Sequence, residues 1–126
     1  MASLLNARPK EIIFTSGATE SNNLALKGVL EQYRHKGRHI ITATTEHKSV
    51  LDSCKALSRA GLAEITYLTV DREGRVDPDD VRRAITPSTV LISIMLANNE
   101  IGTIAPVAEI GRIAKEHDVL FHTDAT

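Results

Sequence analysis

The chain has 126 residues and a formal net charge of -1, with 42% apolar residues, 3% aromatic residues and no tryptophan. That length suits one domain with a real core. The near-neutral charge gives no electrostatic case for nucleic acid or an acidic membrane surface, and no apolar run approaches the ~20 residues of a membrane-spanning helix.

In chain order, short apolar runs alternate with helical patterns. Met1–Ala7 resembles the end of a helix. EIIFT (Glu11–Thr15) reads as a first strand, and a helix follows to about Tyr33, with Leu26, Val29, Leu30 and Tyr33 on one face. HIITATT (His39–Thr45) reads as a second strand, rich in β-branched residues. A second helix runs from about His47 to Arg59 and buries Val50, Leu51, Cys54 and Leu57. EITYLTV (Glu64–Val70) is the third strand. Asp77 then caps a helix that has Pro78 at its first position. VLISIMLA (Val90–Ala97) has the continuous apolar character of a central parallel strand. A helix carrying Val107, Ile110, Ile113 and Ala114 follows, and VLFHTD (Val119–Asp124) is the fifth strand. This alternation predicts an α/β layer fold with a mainly parallel sheet. Both ends of the sequence read as cut, which predicts a piece of a longer enzyme.

Open parallel sheets bind ligands beyond the carboxyl ends of their strands. Four of the five predicted ends carry groups able to do chemistry. Ser16, Gly17, Ala18 and Thr19 follow the first. Small residues at a helix start let an anion approach free N–H groups and the positive end of the dipole, so they suit a phosphate cradle. A plain helix start capped by Ser16 or Thr15 is the alternative. Thr45, Glu46 and His47 follow the second strand. His47 offers a ring that could stack on a ligand or shuttle a proton, or it is a surface histidine. Asn98 and Asn99 either fix a ligand or make a turn. Asp124 ends a buried strand, where a carboxylate needs a partner such as a cationic ring nitrogen, a metal or an arginine, unless it caps a following helix.

Other candidates reduce to structure. His35 and His39 are separated by Gly37, and no carboxylate or thiol completes a metal set, so no metal is expected. Cys54 lies on an apolar helix face and reads as core; a single cysteine fits a reducing compartment.

FTSGATESNNLALKG, TEHKSVLDSC, NNEIGT and HTDAT together resemble the cysteine desulfurases of the NifS/IscS group, pyridoxal-phosphate (PLP) enzymes of the class V aminotransferase family. The resemblance implies that residues 1–126 are part of the large cofactor-binding domain of a fold type I (aspartate aminotransferase-like) enzyme, without the small domain. It implies that Ala18 and Thr19 bind the cofactor phosphate, that His47 stacks on the ring and assists proton transfer, and that Asn99 bonds near the phenolic oxygen. Asp124 would pair with the protonated ring nitrogen. The implied reaction converts L-cysteine to L-alanine and an enzyme persulfide, which supplies iron–sulfur cluster assembly or tRNA thiolation. The implied partners are a second subunit of a homodimer and a sulfur-acceptor or scaffold protein. The implied compartment is the bacterial cytoplasm, or the mitochondrial matrix in a eukaryote. The family's Schiff-base lysine and persulfide cysteine match no residue here, so the chain alone is expected to be inactive. Two other readings stay open: another class V enzyme, such as a selenocysteine lyase or an aminotransferase, and a non-catalytic phosphate-binding domain.

Overall fold

The computed structural model describes residues 1–126. Four strands form one parallel sheet: β1 (His39–Ala43), β2 (Glu64–Leu68), β3 (Thr89–Ser93) and β4 (Leu120–His122), in the order β2-β1-β3-β4. Helices α1 (Ala18–Gln32), α2 (Lys48–Arg59), α3 (Pro78–Ala84) and α4 (Val107–Glu116) connect and cover them.

The central strands β1 and β3 are buried along their whole length. Alternation along β1 sends Ile40 to one face and Ile41 to the other. Ile40 packs with Leu26 and Leu30 of α1 and with Val50, Cys54 and Leu57 of α2. Ile41 packs with Ile92, with Val81 of α3 and with Ile110 and Ile113 of α4. The result is a three-layer α/β/α sandwich, as the alternating pattern predicts. The bends follow local chemistry. Asp77 accepts the Asp79 N–H at 2.9 Å and starts α3 with Pro78 in its first turn. Gly37 is required by a close backbone approach, since a Cβ there would lie 2.2 Å from the Ser88 carbonyl oxygen.

The expected first strand does not form. Pro9–Glu11 is a 3-10 turn, in which Glu11 accepts the Arg8 N–H at 2.7 Å. No ladder hydrogen bond reaches residues 12–15, and Ile13 and Phe14 are exposed. A strand needs a paired neighbour as well as an apolar, β-branched sequence, and the four strands of the sheet pair only with one another. Met1–Ala7 likewise holds only a short 3-10 turn, Ala2–Leu5, with no buried residue.

Candidate cofactor site

Every strand of a parallel sheet points the same way, so the segments after β1, β3 and β4 meet at one edge. The chain that leaves β1 turns through Thr44–Glu46 and enters α2 with His47 as its cap. The imidazole Nδ1 accepts the Ser49 N–H at 3.1 Å, and Ser49 Oγ lies 2.9 Å from the same nitrogen. His47 itself is exposed.

After β3, the Leu96 N–H donates to the Asp124 carbonyl at 2.9 Å, and a turn follows. Asn98 builds that turn: Oδ1 accepts the N–H groups of Glu100 and Ile101, both at 2.8 Å, and Nδ2 donates to the Thr45 carbonyl at 2.9 Å. Asn98 is therefore a turn residue. Asn99 is exposed and its carboxamide has no partner within the chain. His47, Asn98 and Asn99 line one cleft of about 310 Å³.

After β4 comes Asp124, half-buried. Burial alone would raise its proton affinity, but hydrogen bonds from Thr126 and Asn22, together with the nearby His122, outweigh that and hold the carboxyl below its usual range. It is an anion at neutral pH. Its Oδ1 accepts from the Thr126 N–H at 3.1 Å and from the Thr126 hydroxyl at 2.7 Å, which is a capping geometry. Its Oδ2 accepts Asn22 Nδ2 at 3.0 Å and keeps a further lone pair. Next to it, His122 Nδ1 lies 2.8 Å from Ser93 Oγ; burial lowers the proton affinity of His122, and Asp124 pulls the other way.

Helix α1 meets the same edge through Asn22, which bonds to Asp124 and Ser49, although neither α1 nor Asp124 lines the cleft that holds His47 and Asn99. Gly17 precedes α1, and the N–H groups of Ala18, Thr19 and Glu20 have no partner within the chain. No side chain caps this end, contrary to the alternative in which Ser16 or Thr15 does so. Ser16 Oγ instead donates to Glu20 Oε2 at 2.6 Å, and Thr15 Oγ1 lies 2.5 Å from Ser21 Oγ. The space beside the Gly17 Cα is open, with no atom within 4 Å of where a Cβ would stand. Ala18 and Thr19 lie four and three residues before Asn22, so they stand above it on the same helix face. One feature opposes an anion here: the Glu20 carboxylate in the first turn.

A phosphorylated, cationic heteroaromatic ring fits this donor set. Free N–H groups and a threonine hydroxyl suit its phosphate, an anionic Asp124 its ring nitrogen, a free carboxamide its ring oxygen, and an exposed imidazole its face. Asn22 was not evident as a site residue from the sequence, although it is buried and bonded to Asp124. Its spacing carries the signal: Asn22, Leu26 and Leu30 form one stripe, so a polar residue sits on the core face of α1. His39 and Cys54 are occupied otherwise. His39 is buried, with its ring nitrogens 2.7 Å from the hydroxyls of Thr89 and Thr66. Cys54 is fully buried.

Over residues 1–126 the chain matches the protein family described as aminotransferase class V. It is 58% identical over 125 residues to the cysteine desulfurase IscS of Dictyoglomus turgidum, covering 99% of this chain and 32% of that protein. It is 55% identical over 125 residues to the cysteine desulfurase of Homo sapiens, covering 99% and 27%. Among solved structures, SspA in complex with cysteine is 48% identical with a TM-score of 0.93, over 98% of this chain and 35% of that one. DndA from Streptomyces lividans is 44% identical with a TM-score of 0.93, over 98% and 35%. The chain thus spans about a third of the length of the relatives it matches.

Proposed function

As the chain belongs to the class V aminotransferase family, a family of PLP enzymes, we propose that it is the cofactor-binding part of a cysteine desulfurase. The full-length enzyme would convert L-cysteine to L-alanine and a persulfide, and pass the sulfur to an acceptor for iron–sulfur clusters or tRNA. The observation that carries this reading is the Asp124 carboxylate. It is held anionic at the end of β4 and tied through Asn22 to the element that bears His47.

PLP, when bound, supplies an electron sink for a substrate's α-carbon. The rest falls to residues of this chain. Ala18 and Thr19 hold the phosphate at the start of α1. Asp124 keeps the ring nitrogen protonated, because an anion beside it raises that nitrogen's proton affinity. His47, with Nε2 free, would cover the ring face and could move a proton there. Asn99, whose carboxamide is free, would donate to the ring's phenolic oxygen. Cys54 is not the sulfur acceptor, since burial pushes its thiol up to about 11 and leaves no thiolate at neutral pH. A lysine and a reactive cysteine outside residues 1–126 complete the site, and a homodimer encloses it.

The test supplies full-length protein with PLP, L-cysteine and a thiol reductant, which releases the persulfide's outer sulfur as sulfide, and measures alanine and sulfide. Equimolar products support a desulfurase. PLP binding without either product favours another class V activity, and no PLP binding rejects the reading.

A further inference from the structure

Asn22 is 2% exposed, yet it is polar and lies in the second turn of a helix. Two partners account for it. Its Nδ2 donates to Asp124 Oδ2 at 3.0 Å and to Ser49 Oγ at 2.9 Å. The orientation of the amide follows from chemistry: only its N–H₂ can face a carboxylate. Both amide hydrogens are then committed, one to each side.

The direction of the next link is also fixed. Ser49 Oγ accepts from Asn22, so its own hydrogen is free for His47 Nδ1, 2.9 Å away. The Ser49 backbone N–H points at the same nitrogen, at 3.1 Å, and it can only donate. Nδ1 must therefore be an acceptor, and the neutral ring carries its hydrogen on Nε2, the nitrogen without a partner in the chain. One run of hydrogen bonds, Asp124–Asn22–Ser49–His47, joins the end of β4, the second turn of α1 and the start of α2.

We infer that Asn22 is the positioning residue of this site: its two N–H bonds hold the Asp124 carboxylate and the Ser49 hydroxyl in one chain that presents His47 with its hydrogen on Nε2. The consequence for cofactor binding rests on the reading above. The hydrogen-bond chain does not.

The experiment uses full-length protein labelled with ¹⁵N-histidine, with the His47 signals assigned by their loss in His47→Gln. In the cofactor-free wild type, neutral His47 should appear as the Nε2–H tautomer. Asn22→Asp keeps the shape but offers oxygen to Ser49, so the Ser49 hydroxyl turns to the new carboxyl group; the Ser49 N–H still holds Nδ1 as an acceptor, so the ring stays Nε2–H and the His47 Nδ1 resonance should move as that nitrogen loses one of its two donors. Ser49→Ala should have the same effect. PLP affinity supplies a second readout. Asn22→Ala and His47→Ala should each weaken binding by about tenfold, and together by well under a hundredfold, because they act along one chain. An unchanged His47 spectrum in Asn22→Asp, or losses that multiply, overturns the inference even if the melting temperature falls. A wild type that does not bind PLP rejects the cofactor reading, and the histidine spectra then decide the Asn22 chain by themselves.

Discussion

Glu46 Oε2 accepts the Met95 N–H at 3.0 Å, while its other oxygen is buried without a partner. This bond fastens the segment that carries His47 to the end of the strand that leads to Asn99. A carboxylate pays heavily for such a position unless it is protonated. Burial pushes the Glu46 carboxyl up to about 7; the Met95 N–H works against the shift, and Asp124 adds to it.

The pH dependence follows from that shift. Unfolded, Glu46 loses its proton near 4.5, whereas folded it keeps the proton to about 7. Between those values the unfolded state binds fewer protons, so this group's contribution to stability falls as pH rises, by roughly 3 kcal/mol in all. Glu46→Gln keeps an acceptor for Met95 and has no proton to lose. Denaturant melts should show wild-type stability declining relative to Glu46→Gln from pH 4.5 to 7 and running parallel above. Parallel curves throughout would mean that Glu46 is ionised in the fold.

Cys54 makes a separate prediction. It is fully buried in the core between the sheet, α1 and α2. Cys54→Ala should cost about 1–2 kcal/mol of stability through lost packing. Sulfur transfer per folded molecule should not change. A variant that folds but forms no persulfide would make Cys54 the acceptor.

Thr19 stands at the open start of α1 with no hydrogen-bond partner for its hydroxyl within the chain. Thr19→Val keeps the shape and removes the hydroxyl. Binding of PLP should weaken by about tenfold, the worth of one hydrogen bond to a charged group, while inorganic phosphate in the buffer should compete less well. Equal cofactor retention after dialysis would remove Thr19 from the phosphate site.

The elements that the sequence revealed are those that bury their own pattern. His39–Ala43 and Thr89–Ser93 are apolar throughout because both faces are covered, and the stripes of α2 and α4 are plain in the spacing. Glu11–Thr15 looked like a strand because its residues favour extended backbone, but pairing is decided elsewhere in the chain. By residue type Asn98 and Asn99 are alike, and only the family resemblance singles out Asn99; the fold separates them by turning Asn98 into the loop's brace and leaving Asn99 free. A polar residue within a helix is usually solvated, so the local sequence alone does not mark Asn22 as buried. Its bond to Asp124 spans 102 positions, which no local pattern encodes.

The most direct measurement compares wild-type and Asp124→Ala full-length enzyme, both verified as folded, for visible absorbance with PLP and for alanine formed from L-cysteine. Asp124→Ala should lose at least ~100-fold in turnover, with a cofactor absorbance whose pH profile is altered because the ring nitrogen has lost its anion. Wild-type turnover with an unchanged pH profile would contradict the role assigned to Asp124, and with it the proposed site.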